Sequence, residues 1–191
     1  PAQAARDIEK IIQATLHARE VVKKLMLYSR QVPPQERDVD LNLLIQENLY
    51  FVAHLCNKHG VEIVQDTEAG LDAITADPFL LRQVLMNLIM NAVQAMPGGG
   101  TLTIRTRRSA DRITLSVEDT GTGMDPETLD QIFIPFFTTK DVDQGTGLGL
   151  SVVEGIVEAH GASIRVSSAE GAGSTFCITF PLKKSEDRHA R

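Results

Sequence analysis

Three short stretches of this chain carry residue types whose spacing suits the binding of phosphate and of a nitrogen base. Asn87 and Asn91 lie four apart, so on a helix both side chains leave one flank. Asparagine is a poor helix-interior residue, because its amide competes for backbone hydrogen bonds. Two at this interval suit a use for their amide oxygens. A hard cation such as Mg²⁺ accepts neutral oxygens and completes its shell with water and phosphate oxygens. Spacing alone nevertheless favours a solvated polar flank.

The second stretch is Glu118-Asp119-Thr120-Gly121-Thr122-Gly123-Met124. Ile113, Leu115 and Val117 alternate ahead of it, and Asp119 continues their face. A carboxylate at the end of a buried row is costly unless a donor reaches it. The amino group of an adenine would supply that donor, and Gly121 and Gly123 would let a planar ligand approach the backbone. An aspartate that merely opens a turn has the same local sequence. The third stretch, Gly145-Thr146-Gly147-Leu148-Gly149-Leu150-Ser151, runs straight into a helix. Backbone N–H groups at a helix N-terminus attract phosphate, and glycines expose them. No Gly-Lys-Ser/Thr ending makes it a Walker loop, and no strand leads directly into it as a dinucleotide fingerprint requires. Upstream, Phe133, Phe136 and Phe137 punctuate residues 132–140, while residues 141–145 are too polar to pack. That pattern predicts a mobile flap on an aromatic hinge.

Mixed α/β elements must position these stretches. The pattern predicts a helix over 42–58 stopped by Gly60, and a strand over 61–65. Asp77-Pro78 is a capping carboxylate before a proline at the first helical position, and opens a helix running to Met96. Its apolar face is Leu81, Leu85, Leu88, Ala92 and Ala95. Alternating strands follow over 101–107 and 112–118, then a helix over 148–160 closed by Gly161, then strands over 163–168 and 175–180. Ahead of all this, Ile8, Ile11, Thr15, Ala18, Val22, Leu25 and Ser29 recur at alternating threes and fours. This is a heptad seam, and a helix over 4–31 with such a seam needs partners in a bundle or coiled coil. Pro33-Pro34 ends it. The organisation read from the sequence is a bundle helix (1–32), a linker (33–38), a catalytic domain (39–183) and a charged tail (184–191).

The totals exclude some classes. At 191 residues with 42% apolar and 23% charged residues, the chain suits one ordinary domain plus a small attachment. A net charge of −6 argues against a nucleic-acid footprint, so phosphate must be held by local geometry. Cys56 and Cys177 sit far apart with no metal spacing, as reduced core thiols of a cytoplasmic protein would. No apolar run is long enough to span a bilayer, and Pro1 in mid-pattern is expected of a piece of a longer, conceivably membrane-anchored, parent.

Taken in order, Asn87-Leu88-Ile89-Met90-Asn91-Ala92, Asp119-Thr120-Gly121-Thr122-Gly123, Phe133-Ile134-Pro135-Phe136-Phe137-Thr138-Thr139-Lys140 and Gly145-Thr146-Gly147-Leu148-Gly149-Leu150 resemble the N, G1, F and G2 boxes of sensor histidine kinases. His160-Gly161 and Gly173-Ser174-Thr175-Phe176 also fit, and the resemblance covers about residues 38–182. It implies an α+β Bergerat ATP-binding fold: a two-layer sandwich, one face of a mixed sheet covered by helices, with ATP beneath a lid. It implies Asn91 as the Mg²⁺ ligand with Asn87 beside it, and Asp119 on the adenine amino group. Gly121 and Gly123 would shape the base pocket. Phe137, Thr138, Thr139 and Lys140 would border the nucleotide, Lys140 reaching its terminal phosphate. Gly145, Thr146, Gly147, Leu148 and Gly149 would cradle the phosphates, and Thr175 would support the base through water. Ile134 and Ala162 depart from the family pattern, where an acidic residue and a glycine are frequent.

The N-terminal helix resembles the second helix of the family's dimerisation hairpin, which implies a homodimer in the parent. The acceptor histidine belongs to the first helix, and none of the five histidines here has its motif. The expected activity is therefore transfer of the ATP γ-phosphate to a histidine elsewhere in the parent, for relay to a response-regulator aspartate. This chain alone would bind ATP without phosphorylating itself. The alternatives are an ATPase of the related chaperone, topoisomerase and mismatch-repair type, a nucleotide-sensing dimerisation module, and an anti-sigma serine kinase. An ATPase places a water-activating glutamate on the asparagine helix; between Phe79 and Met96 there is no Asp or Glu.

Overall fold

The structure is a computed structural model, which describes residues 34–140 and 145–182 and, ahead of them, Thr15 alone. The heptad helix over 4–31, the centre of the flap and the charged tail lie outside the described residues, Thr15 apart, which is helical. Strand β1 (Arg37–Val39) leads into helix α1 (Leu41–Lys58) and strand β2 (Val61–Thr67). Strand β3 (Ile74–Ala76) precedes helix α2 (Pro78–Ala95). Strands β4 (Gly100–Arg108) and β5 (Arg112–Asp119), the short helix α3 (Pro126–Gln131), helix α4 (Gly149–Ala159) and strands β6 (Ser163–Ala169) and β7 (Gly173–Pro181) complete the order.

Five strands form one mixed sheet in the order β2-β4-β5-β7-β6. β2 and β4 run parallel, which requires a crossover, and α2 supplies it. The remaining neighbours are antiparallel. Alternation decides which face is covered. Leu102, Ile104, Ile113, Leu115, Val117, Phe176, Ile178 and Phe180 are buried against the helices. The opposite face carries half-exposed polar residues, including Arg105 paired with Glu118. The helices answer with Ile45, Leu49, Leu81, Leu85, Leu88, Val153 and Val157, so one apolar core lies between two layers. This is the α+β sandwich expected from the sequence.

The helix starts follow from local chemistry. Asp40 caps α1 by accepting from the Leu43 N–H at 3.0 Å. Asp77 caps α2 by accepting from Phe79 and Leu80, with Pro78 at the first helical position. Asp125 and Pro126 repeat that device at α3, with Thr128 N–H donating at 2.8 Å. Buried His160 ties the ends of α4 and α2 together. Its Nδ1–H donates to the Ile156 carbonyl at 2.7 Å, and its Nε2 accepts from the Asp77 N–H at 2.9 Å.

Three short elements depart from the sequence reading. Arg37 and Asp38, read as the end of a linker, belong to β1, which pairs antiparallel with β3 in a separate two-stranded sheet. Three-residue strands are too short for alternation to register; these are held by their mutual pairing and by burial of Val39, Ile74 and Ala76 in the core. Helix α3, six residues long, is likewise too short to show a helical period.

Candidate functional site

β5 and α2 converge on a cavity of about 480 Å³ that opens between α2, α3, the turn after it and the start of α4. Asn87, Asn91 and Gln94 line it from α2; Asp119, Ser174 and Phe176 line it from the sheet. Phe137, Thr138, Thr139 and Lys140 border it, and Gly145, Thr146, Gly147 and Gly149 close its far side. The structure therefore gathers side chains from sequence stretches up to about ninety residues apart into one concavity (Asn87 to Phe176).

Asp119 ends the buried row that Ile113, Leu115 and Val117 begin, and only 4% of it is exposed. Burial pushes its carboxyl above the usual range, opposed by hydrogen bonds from the Gly121 and Ser174 N–H groups; nearby Glu118 adds to the rise. The Gly121 N–H bond measures 2.9 Å. Gly121 itself does not line the cavity; it lies behind it, where a Cβ would stand 2.5 Å from the Ala95 carbonyl oxygen. Thr122 N–H donates to that same carbonyl at 3.0 Å, so this turn is pinned to the last residue of α2. The glycine permits the contact. Gly123 does line the cavity, beside Met124 and Thr128.

At the other end the polar groups have fewer partners. Asn87 Nδ2 donates to the Gly149 carbonyl at 3.2 Å, joining α2 to the first residue of α4. Asn91 is half-buried, lines the cavity and makes no side-chain hydrogen bond among the described residues. Lys140 Nζ donates to Gln94 Oε1 at 2.5 Å, and no carboxylate among the described residues pairs with it. Burial lowers its pKa, because the charged form loses hydration. Helix α4 starts without a side-chain cap, whereas α1, α2 and α3 each have an aspartate. Its first-turn N–H groups are thus left for an external acceptor. Gly147 sits at φ 66°, and the Phe136 N–H donates to its carbonyl at 3.0 Å. A Cβ at Gly147 would lie 2.4 Å from the Phe136 carbonyl carbon, so the aromatic turn and the glycine loop interlock only around glycine.

Besides Gly121, two residues from the sequence reading lie outside the lining. Leu148 is buried and does not line the cavity. Thr175 is also outside it: along β7, Ser174 and Phe176 face the cavity, and alternation turns Thr175 to the open face of the sheet. Ser174, Gln94, Met90, Thr122, Met124, Thr128, Ile132 and Leu150 line the cavity without having been singled out. Ser174 could have been found by extending the alternating row Phe176, Ile178, Phe180 back by two.

The family described as histidine kinase-, DNA gyrase B-, and HSP90-like ATPase matches residues 76–184, and the chain belongs to that family. Sensor histidine kinase ZraS of Escherichia coli (strain K12) is 44% identical over 144 residues, which cover 75% of this chain and 30% of ZraS. Sensor kinase CckA of Brucella abortus (strain 2308) is 38% identical over 197 residues, 95% of this chain and 21% of CckA. The chain thus spans about a fifth to a third of the length of these curated relatives. Among solved structures, full-length ShkA in complex with AMPPNP matches with a TM-score of 0.79 at 26% identity, over 88% of this chain and 36% of that one. Histidine kinase ThkA in complex with response regulator protein TrrA matches with a TM-score of 0.76 at 28% identity, over 91% of this chain and 50% of ThkA's. Among the described residues no helix is long and apolar enough to cross a membrane.

Proposed function

We propose that this chain is the ATP-binding catalytic region of a sensor histidine kinase, holding Mg²⁺-ATP in the cavity between α2 and α4. The observation that carries the reading is the cavity's polarity. One end is a buried carboxylate with acceptor capacity to spare, and the other combines an uncapped helix start with a lysine that has no carboxylate partner among the described residues. An adenine amino group satisfies the first, and polyphosphate satisfies the second. The donor set also fits the metal. Asn91 offers an amide oxygen with no protein partner, and no cluster of carboxylates that would build a complete cage occurs, among the described residues. Bound Mg²⁺ would neutralise phosphate charge and leave most of its shell to phosphate and water.

In this reading Asp119 orients the base, Asn87 and Asn91 flank the phosphates, and Lys140 and the α4 N–H groups hold the terminal phosphate for in-line transfer. The bond from phosphorus to the β,γ-bridging oxygen breaks as a bond to an imidazole nitrogen forms, and ADP leaves. The histidine would belong to the parent's dimerisation hairpin, and the phosphate would pass to an aspartate of a response regulator. Hydrolysis is disfavoured by the lining itself. Among the described lining residues Asp119 is the one carboxylate, and it sits at the base end, so none of those residues offers a general base to a water at the phosphate end.

Two experiments test the reading. Asn91→Ala should abolish the Mg²⁺ dependence of ATP binding in calorimetry; a retained dependence removes Asn91 as the ligand. Labelled ATP supplied to a longer chain that restores the upstream segment should leave acid-labile phosphate on the protein. Release of free phosphate with none retained would make the chain a hydrolase instead.

A further inference from the structure

We infer that Ser168 is a positioning residue that turns the proton of the Ser174 hydroxyl away from the cavity, so that Ser174 joins Asp119 as an acceptor and the pair selects a hydrogen-bond donor at purine position 6. Asp119, Ser174 and Ser168 form one row across three strands, since Asp119 pairs with Ser174 in β5–β7 and Ser174 with Ser168 in β7–β6. Antiparallel partners share a face, so all three side chains lie on the helix side of the sheet. Asp119 and Ser174 line the cavity, and Ser168 stands behind them.

Counting protons assigns the direction. Ser168 Oγ has three neighbours: the Met124 N–H at 2.9 Å, the Gly173 carbonyl at 2.9 Å and Ser174 Oγ at 3.0 Å. An N–H can only donate and a carbonyl can only accept. The single Ser168 proton therefore goes to Gly173, and its lone pairs receive Met124 N–H and the Ser174 hydroxyl. Ser174 has then spent its own proton, and what it shows the cavity is lone pairs. A donor at position 6 meets two acceptors there, and an acceptor meets two like partners with nothing to offer it. Ser168 imposes this without touching the ligand.

The inference rests on the nucleotide reading of the cavity, and the test separates the two. Affinities of ATP and of 6-methoxypurine riboside triphosphate, which carries an acceptor in place of the donor at position 6 and matches ATP at N1, are measured by competition. In Ser168→Ala the Ser174 hydroxyl is free to turn inward, and the preference for ATP should fall ~10-fold, the worth of about one hydrogen bond. Adding Ser168→Ala to a Ser174→Ala chain should leave the preference where Ser174→Ala alone has it. An unchanged preference in Ser168→Ala, or an equal fall on both backgrounds, overturns the inference. Should Ser168→Ala not fold, Ser174→Ala decides alone. Removing inward lone pairs tightens or preserves binding of the 6-methoxy analogue, whereas weaker binding means that a proton faced the cavity and the inference is wrong. Failure of the unaltered chain to bind ATP at all would overturn the nucleotide reading, and the inference with it.

Discussion

The two ends of the cavity are built on opposite plans. At the base end Asp119, Ser168 and Ser174 have protein partners before any ligand arrives: the Gly121 N–H serves Asp119, and Ser168 binds Met124, Gly173 and Ser174. At the phosphate end the groups are left wanting, with Asn91 unbonded among the described residues, Lys140 held by a neutral amide, and α4 uncapped. The difference follows from what each end has to hold. A planar base with few hydrogen bonds is read by pre-set direction, which demands fixed donors and acceptors on strand ends. A polyphosphate supplies enough charge to order its own surroundings, so the protein needs only to withhold competing partners.

Breaking the fixed end should have the largest effect. Asp119→Asn should weaken ATP binding by about 100-fold, roughly 2.7 kcal/mol, because a charged acceptor is lost and an amide N–H can face the base amine. Calorimetry measures it, and unchanged affinity would refute the base-reading role. At the unfixed end, Lys140→Met should weaken ATP binding about 10-fold, within the range of one charge-assisted hydrogen bond, and leave adenosine binding alone. Equal losses for ATP and adenosine would show that Lys140 holds the turn and not the phosphate.

Smaller effects separate the ends by pH. The Asp119 pKa is raised, so its charge disappears on acidification sooner than an ordinary aspartate's. ATP binding should accordingly begin to weaken at a higher pH than the usual carboxylate titration. The Lys140 pKa is lowered, so binding should also fall earlier on the alkaline side than an ordinary lysine would allow. Asp119→Asn should remove the acid limb and spare the alkaline one; loss of both limbs would mean that the two ends are not independent. The smallest effect concerns stability without ligand. A raised carboxyl pKa makes the ionised form a cost to the fold, present above the folded pKa and relieved below it. Asp119→Asn should thus raise the melting temperature of the ligand-free chain at neutral pH, with the gain vanishing as the pH falls through the folded pKa and then the normal aspartate range. A lower melting temperature at neutral pH would mean that its hydrogen bonds outweigh its desolvation.

The long elements could be read because their signals are local. Asp77-Pro78 marks the α2 start without reference to anything distant, and Ile113, Leu115 and Val117 give β5 its buried face and bring Asp119 onto it. What escaped was short or relational. β1 and β3 are three residues each and exist only as a pair. Ser174 was passed over for Thr175, one residue along, because a sequence match does not state which neighbour faces inward on a strand whose register is set by β5 and β6. The interlock of Phe136 with Gly147 joins residues eleven apart through a backbone geometry that no periodicity announces.

By itself the order of residues determined the chemistry available to this protein: amides at helical spacing, a carboxylate at the end of an apolar row, and glycines before a helix. Those depend on side-chain type and local period, which the chain carries wherever it is placed. Tertiary structure decided which of those groups are already spoken for. The direction of the Ser174 proton, the pairing of Lys140 with a neutral amide and the raised pKa of Asp119 arise from neighbours brought together across the sheet and between helices. Burial and hydrogen-bond satisfaction are properties of neighbours in space, and a linear sequence does not specify them until the core between the helices and the sheet has closed.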